Sequence, residues 1–360
     1  MKKLFIIAAA AVVAAGCANK NAYTVSGTMT EENDGRYVYL YKYPGQPAEC
    51  LVDSAKVRHG KFRFRGEADT CEACYVSNLG SEEVFAVGNH DDTSFIVMFF
   101  AEPGDIVLDI DNSSASGTPS NDAYAEYMRR RNELQQQYYD SATQQKRDDL
   151  IAQSDSLTVR TFEANADNIF GATLLQQLSY EMTGTETMNA IMDFPVSVQG
   201  SRVLAELREE AEAKMPTDPG QPYIEVVQHD MDGRELSLSS VVENPRNKYV
   251  LVDFWASWCG PCMGEVPYLT AVYDKYRRKG FEIYGISLDT NAESWKNCVK
   301  SRKMNWLHVS DLNRFDNKAA RDYGVRGIPS NFLVDTSTGE IVAVNLRGEA
   351  LAAKMAELLD

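Results

Sequence analysis

The sequence is poor in positive charge and in histidine. Its 36 lysines and arginines face 52 aspartates and glutamates, which gives a net charge of −16 over 360 residues. Such a chain would be repelled by nucleic-acid phosphates, so we expect no nucleic-acid partner. None of its four histidines directly follows a Cys-x-x-Cys pair. The motif that attaches c-type haem is therefore also missing.

Long apolar runs are missing as well, except at the start of the chain. Lys2 and Lys3 precede an apolar run from Leu4 to Val13. This run is too short to cross a bilayer comfortably and is typical of a cleaved signal sequence. No later segment is apolar for long enough to span a membrane. We therefore predict that residues 1–16 are a signal peptide.

The end of this signal resembles the lipoprotein box of bacteria. Small residues stand directly before Cys17, with Ala14 at the position where the box usually has Leu. The resemblance implies cleavage before Cys17 and a diacylglycerol on its sulfur. It also implies a lipid-anchored protein of the bacterial cell envelope that faces the periplasm, where disulfide chemistry is possible. The alternative is an ordinary secretory signal with an incidental cysteine.

From residue 17 to residue 118 the chain consists of short runs in which apolar and polar residues alternate. The clearest run is Lys61 to Gly66, and Pro or Gly turns separate such runs. The pattern predicts a small all-β domain, either a sandwich or a barrel. The Ser- and Gly-rich stretch from Ser113 to Ser120 is typical of a linker.

Residues 119–215 have a different composition, rich in Gln, Glu, Ala, Leu and Arg. Few β-branched runs interrupt them, so we predict a central region of several helices. A Pro-rich segment over residues 216–222 then indicates a stiff linker. We expect three glycines to break the helical run: Gly171, Gly184 and Gly200.

The C-terminal region, residues 222–360, differs in both charge and pattern. From Gly220 onward 19 acidic and 17 basic residues give a net charge of −2, so −14 of the total lies earlier. Strand and helix patterns alternate after a predicted hairpin of Tyr223–Val227 and Glu235–Leu238, which indicates a central sheet covered by helices. The prediction is a multi-domain chain: an N-terminal all-β domain, a central α-helical region and a C-terminal α/β domain.

One short stretch in this last region carries chemistry. Cys259 and Cys262 are separated by Gly-Pro, after a buried strand (Val250–Phe254) and ahead of a helix predicted to run to Lys279. A cysteine at the start of a helix has its sulfur near unpaired N–H groups and the positive dipole end, which stabilises the thiolate. We predict that Cys259 is a nucleophile and that Cys262 resolves the mixed disulfide. The Cys259–Cys262 pair is then itself the redox-active group, and we expect no other cofactor.

The surrounding residues make this stretch resemble thioredoxin. Val252-Asp253-Phe254-Trp255-Ala256 leads to Trp258-Cys259-Gly260-Pro261-Cys262, and Pro267 and Gly327-Ile328-Pro329 follow at matching distances. The resemblance covers residues 222–360 and implies a thioredoxin fold in which Pro329 is cis and faces the cysteines. A cis Pro329 would leave the preceding backbone free to pair with an extended substrate.

Other features are similar to the membrane-tethered TlpA/ResA branch of the thioredoxin-like proteins, namely Glu265-Val266-Pro267 and the lipoprotein leader. This resemblance implies protein substrates that contain disulfides and a membrane thiol donor that regenerates the dithiol. Because Gly-Pro between the cysteines resembles reducing members, it favours a reductase over an oxidase. Residues 17–118 also resemble a small β domain of unknown function that precedes thioredoxin-like domains in bacterial lipoproteins.

Three residues near the pair are further candidates. Asp253 lies in an apolar strand, where burial would raise the pKa of its carboxyl and allow it to take the proton of Cys262; it could also reach solvent at the strand edge. The resemblance gives Glu265 a role in tuning the cysteine pKa values, although a first-turn Glu also suits the helix dipole. Trp258 is predicted to form part of a packing and docking surface.

Several alternatives have to be weighed against this site. A zinc site needs two more ligands, and neither Cys298 nor His308 supplies a second paired motif. A peroxidase of the same fold would not need the second cysteine of the pair. A second Cys-x-x-Cys, Cys71 with Cys74, has no strand-to-helix context, so a disulfide with Cys50 or free thiols is favoured over redox chemistry there.

The competing class is a binding or scaffold lipoprotein. Residues 17–215 show no visible chemistry and could bind a partner while the C-terminal domain acts as a passive or accessory module. The sequence favours an extracytoplasmic, membrane-tethered thiol-disulfide oxidoreductase.

Overall fold

In the computed structural model, residues 20–42, 50–68, 70–84 and 94–360 are described. Cys17 and the predicted signal peptide lie outside these residues. Within them, no helix combines the length and the apolar character that crossing a bilayer requires. The described residues divide into two compact units, one that extends to Thr173 and includes Pro195–Arg202, the other of Leu174–Phe194 and Val203–Asp360.

The described part of the first unit contains two four-stranded sheets, ordered β4-β1-β7-β8 and β3-β2-β5-β6. The strands are β1 Ala22–Thr28, β2 Tyr37–Lys42, β3 Leu51–Lys56, β4 Lys61–Glu67, β5 Glu72–Ser77, β6 Ile96–Ala101, β7 Gly104–Asp109 and β8 Ser114–Ser116.

Alternation along the strands builds a core that both sheets share. In β4, Phe62 and Phe64 are buried while Lys61 and Arg63 are exposed. Phe64 and residues of the second sheet such as Leu40 belong to one apolar cluster, so the predicted all-β domain is confirmed as a sandwich. One strand pair, β1 with β7, is parallel rather than antiparallel.

The predicted Ser-rich linker over residues 113–120 contains a strand, so that prediction was wrong in part. Strand β8 pairs with β7 through Ala115, which is buried. A short strand of small residues carries almost no hydrophobic periodicity, which is the signal that identifies strands in a sequence.

The central region is helical, as predicted. Its helices, together with one short helix that precedes them, are α1 Ser81–Val84, α2 Pro119–Asp140, α3 Gln144–Ala164, α4 Ile169–Leu178, α5 Gly184–Met192, α6 Val196–Gln199 and α7 Arg202–Lys214. These helices are shared between the two compact units and do not form a third unit. The domain boundaries at residues 118 and 215 follow composition and stay predictions.

Two of the three expected glycine breaks fall between helices. Gly184 begins α5 behind a capping box of Thr183 and Glu186, and Gly200 ends α6. Gly171, in contrast, lies inside α4, where an added Cβ would come within 1.9 Å of the Asn165 carbonyl oxygen. Close packing therefore requires glycine at this position, and the predicted break there was wrong.

The second unit, described throughout, contains a seven-stranded mixed sheet ordered β10-β9-β13-β12-β11-β14-β15. Its strands are β9 Val227–Asp230, β10 Glu235–Ser237, β11 Tyr249–Trp255, β12 Phe281–Ser287, β13 Leu307–Ser310, β14 Ser330–Asp335 and β15 Glu340–Val344. Its further helices are α8 Leu238–Val242, α9 Gly260–Tyr276, α10 Ala292–Arg302, α11 Lys318–Asp322 and α12 Gly348–Leu359.

Strand β11 lies inside this sheet, parallel to β12 and antiparallel to β14. Its side chains from Val250 to Trp255 are all buried, which explains its nearly continuous apolar sequence. The fold is the predicted C-terminal α/β thioredoxin fold, and β11 leads directly into the cysteine pair.

One strand prediction in this unit needs correction. The first strand begins at Val227 and not at Tyr223, because Tyr223 and Ile224 hydrogen-bond to the Gly339 carbonyl and the Tyr323 hydroxyl instead. Further along the chain, a single 3-10 turn at Arg314–Asp316 is followed by α11, and the side chain of Asn317 caps α11.

Candidate active site

The cysteine pair stands where strand β11 gives way to helix α9. Cys259 is the N-cap of α9, and its Sγ accepts the backbone N–H of Cys262 at 3.1 Å. The two sulfurs are joined in a disulfide, and both residues are buried. An N–H directed at the Cys259 sulfur stabilises negative charge there once the bond is reduced. The local geometry therefore suits Cys259 as the attacking thiolate.

Asp289 holds the turn between β11 and Cys259. This buried carboxylate accepts the backbone N–H of Ser257 at 3.0 Å and its hydroxyl at 2.5 Å. It also accepts the Ser287 hydroxyl at 2.7 Å. Asp289 was not among the predicted site residues, and its place just after the apolar strand β12 was the signal that could have identified it.

The loop before β14 faces the pair. The Ile328–Pro329 peptide bond is cis, as the resemblance implied, and the Ile328 carbonyl oxygen lies 3.6 Å from the Cys259 Sγ. The guanidinium of Arg347 donates to the carbonyl oxygen of Pro329. The structure thus brings the loop of Pro329 close to Cys259, and the hydrogen bond from Arg347 fixes the backbone of this loop at Pro329.

Asp253 is buried below the pair. Its side chain, 3% exposed, lines a cavity of about 10 Å³ together with Cys262, Glu265 and Arg347. Such a cavity holds roughly one water molecule. Burial raises the pKa of the Asp253 carboxyl to about 7, because the charged form loses its hydration. The possibility that Asp253 reaches solvent at the strand edge is therefore wrong.

Two charges of opposite sign act on this carboxyl. Arg347 lowers the pKa of Asp253, whereas Glu265 raises it, and both effects are smaller than that of burial. The Glu265 carboxylate accepts the backbone N–H of Gly348 at 2.8 Å, at the start of α12. Arg347 precedes that helix directly, and its Nη1 atom is buried without a hydrogen-bond partner. Arg347 was missed because only the fold brings residue 347 beside residue 253.

A carboxyl whose pKa lies near neutrality is suited to proton transfer at neutral pH. Asp253 and Cys262 line the same small cavity, which has room for about one water molecule. The arrangement can therefore supply a thiolate at Cys259 and a base for Cys262.

Trp258 lies on the surface next to the pair. It is 48% exposed and meets Phe315 edge to face, while the Arg314 guanidinium lies 5.1 Å from the centre of its ring. Trp258 contributes an exposed aromatic face beside Cys259, and the docking surface predicted for it stays a prediction.

The other cysteines of the described residues lie apart from this chemistry. Cys50, Cys71, Cys74 and Cys298 are free thiols. Burial raises the pKa of Cys74 to about 12 and that of Cys71 above its usual value, which disfavours the reactive thiolate. Among all the described residues, no group of three or more His, Cys, Asp or Glu side chains is placed to hold a metal ion.

Comparison with known proteins supports the fold and the chemistry. Residues 219–344 match the AhpC/TSA family, and residues 23–124 match a domain of unknown function, DUF4369. A thiol-disulfide oxidoreductase ResA of Bacillus thuringiensis is 30% identical over 130 residues, 36% of this chain and 70% of that protein. ResA of Bacillus subtilis is 30% identical over 118 residues, which cover 33% of this chain and 62% of the relative.

Among solved structures, the thioredoxin domain of a thiol-disulfide oxidoreductase from Bacteroides vulgatus is 34% identical. The match covers 39% of this chain and 98% of that domain, with a TM-score of 0.36.

A thioredoxin fold with a vicinal cysteine pair at a helix start defines a protein that exchanges dithiol and disulfide. The match to ResA of Bacillus thuringiensis identifies the family within this class, since it spans 70% of that protein at 30% identity. The chain belongs to the ResA-like family of thiol-disulfide oxidoreductases and carries a DUF4369 domain at its N-terminal end.

The buried carboxyl predicts how stability depends on pH. The pKa of Asp253 is about 7 in the folded protein and roughly 3.9 in the unfolded chain. Between about pH 4 and pH 7 the Asp253 carboxyl holds a proton in the folded state but not in the unfolded state. The free energy of unfolding therefore falls as the pH rises from about 4 to 7. We expect Asp253→Asn, with the pair oxidised, to raise the free energy of unfolding at pH 8 by on the order of 3 kcal/mol.

Urea unfolding at pH 8 and pH 5 measures this effect, which should shrink at the lower pH. Asp316→Asn, an exposed acid of the same unit, is the matched control and should change stability little at either pH. An Asp253→Asn variant less stable than the wild type at pH 8 would contradict the assignment of a buried, destabilising charge.

Proposed function

We propose that this protein reduces disulfides of other proteins outside the cytoplasm. The observation that carries the proposal is the position of Cys259, whose Sγ accepts a helix N-terminal N–H and lies 3.6 Å from the carbonyl of Ile328. A nucleophile so placed meets any polypeptide that lies along the loop before Pro329. The redox-active Cys259–Cys262 pair would be the only redox group needed.

The reaction has two exchange steps. In the first, the Cys259 thiolate attacks one sulfur of the substrate disulfide; that S–S bond breaks, and the second substrate sulfur leaves and takes up a proton. In the second, Cys262 loses its proton and attacks the Cys259 sulfur. The substrate's remaining sulfur leaves as a thiol, so two electrons have passed to the substrate and the Cys259–Cys262 disulfide remains.

Asp253 would take the proton of Cys262 in the second step. A carboxyl with a pKa of about 7 is half ionised at neutral pH and can accept and return a proton there. Glu265 would act through charge, since it raises the proton affinity of Asp253 and lies in the wall of the same cavity. Trp258 would present its exposed ring to the incoming substrate.

Two cysteine variants test the nucleophile and the resolving group. Cys262→Ala stops the reaction after the first step, so it should accumulate mixed disulfides with substrates, visible on non-reducing gels. Cys259→Ser should form none and should lower the rate of insulin reduction by at least about 100-fold. Unchanged insulin reduction by Cys259→Ser would refute the enzyme assignment in favour of a binding module.

The direction of electron flow rests on the Gly-Pro between the cysteines, which resembles reducing members. A reductase must have a low reduction potential, so we expect equilibration with glutathione or dithiothreitol buffers to give a value below about −200 mV. A value near that of strongly oxidising proteins, about −120 mV, would reverse the proposed direction. The Cys50→Ala variant, which lacks a buried free thiol of the first unit, should titrate like the wild type.

The cellular setting forms part of the same proposal. A lipid on Cys17 would anchor the protein to a membrane of the bacterial cell envelope, facing the periplasm. There a membrane thiol donor would have to regenerate the dithiol, because that compartment is oxidising.

A lipid anchor makes a direct prediction. The full-length protein expressed in a bacterial host should partition into the detergent phase of Triton X-114, and Cys17→Ser should move it to the aqueous phase. Cys50→Ala, which changes a buried thiol elsewhere, should partition like the wild type. Equal partition of the wild type and Cys17→Ser would exclude the anchor.

A further inference from the structure

A cavity of about 90 Å³ opens beside the loop that faces Cys259. Its lining includes Gly327 and Ser330 of that loop and Tyr180 from the central helical region. All of these residues belong to the second compact unit. The helical region therefore lines a cavity together with Gly327, the neighbour of Ile328 in the chain. The carbonyl oxygen of Ile328 lies 3.6 Å from the Cys259 Sγ.

The contact between Tyr180 and Gly327 is close. A Cβ added at Gly327 would lie 2.4 Å from Cε2 and 2.5 Å from the hydroxyl oxygen of Tyr180. The tyrosine nevertheless remains 44% exposed, so the rest of its surface faces solvent. Among the described residues, none hydrogen-bonds to the backbone of Gly327. An extended peptide that pairs with this loop would therefore pass directly along Tyr180.

The charged groups around the cavity already have partners. Lys214 donates to the Ser179 carbonyl at 2.7 Å, and Arg326 pairs with Glu210 at 2.6 Å. The carboxylate of Asp218, also in the wall, accepts the N–H groups of Gly184 and Thr185, both at 2.8 Å. These contacts leave little reason for a charged ligand to enter.

Part of the cavity lining is apolar. It includes the buried side chains of Val325 and Phe332 and the half-buried side chain of Val344. The volume of about 90 Å³ is smaller than the roughly 150 Å³ apolar cavity that takes up benzene. It therefore suits an aliphatic side chain better than an aromatic one.

We propose that this cavity is a subsite for an aliphatic side chain of the substrate polypeptide, with Tyr180 as a specificity-determining residue. The inference rests on the proposed function, because it requires a polypeptide bound along the loop before Pro329. In an extended chain, side chains on one face repeat every second residue, about 7 Å apart. Gly327 in the cavity wall is the neighbour of Ile328, so we place the residue that enters the cavity two positions from the substrate cysteine.

Peptides with an activated disulfide test the subsite. Two peptides differ only at the position two residues from their cysteine, Leu in one and Asp in the other, and each cysteine carries a thionitrobenzoate group. The full-length, reduced protein releases this chromophore. Each protein molecule reacts once, because its dithiol is consumed, so the second-order rate constant of release is compared. We expect this constant for the Leu peptide to exceed that for the Asp peptide by about tenfold.

Two variants alter the cavity in opposite ways. Val344→Phe fills it and Tyr180→Ala opens it, and each should reduce the Leu-to-Asp ratio to about 1. The ratio compares two substrates of one enzyme, so partial loss of folded protein does not affect it. Tyr139→Ala, an exposed tyrosine on α2 in the first unit, is the matched control and should keep the wild-type ratio.

The outcomes separate the two proposals. Equal rates for both peptides in the wild type, or a tenfold preference that survives both Val344→Phe and Tyr180→Ala, overturn the subsite and leave the proposed reductase intact. Failure of the wild type to release thionitrobenzoate from either peptide, under conditions where dithiothreitol does so, overturns the proposed function itself.

Discussion

Strand β11 has to bury six consecutive side chains inside a mixed sheet, and one of them is a carboxylic acid. Burial of Asp253 raises its pKa to about 7, at the expense of folding stability wherever the acid is ionised. The same strand carries the chain to Cys259 at the start of α9. One buried strand therefore positions both the proposed nucleophile and the proposed proton acceptor, and the rest of the site is arranged around it.

The surrounding contacts limit how far each part of the site can move. Asp289 fixes the turn before Cys259 through Ser257, and Arg347 holds the Pro329 carbonyl opposite. Arg347 also offsets part of the effect of burial on Asp253. Since Glu265 accepts an N–H at the start of α12, that helix supports the cavity as well. Arg347 and Glu265, which come from other elements of the fold, thus influence the pKa of the buried Asp253 carboxyl.

The central helices have a structural role that their sequence does not show. Part of this region packs with the thioredoxin fold in one compact unit, and Tyr180 lies against Gly327 beside the nucleophile. The proposed subsite would make these helices part of substrate selection. With this subsite, the central helices would take part in the same disulfide-exchange reaction as the thioredoxin fold.

Local sequence determined much of this protein. Neighbours within a few residues predicted the small β domain, the buried sheet strand and the redox pair. These local signals were the alternation of Phe62 and Phe64, the apolar run of β11 and the turn from Cys259 to Cys262. Only the tertiary structure determined which residues that are distant in sequence come into contact. It buried Asp253, brought Arg347 and Asp289 to the site and laid Tyr180 on Gly327. These outcomes depend on contacts between residues far apart in the chain, which hydrophobic periodicity and motif spacing do not encode.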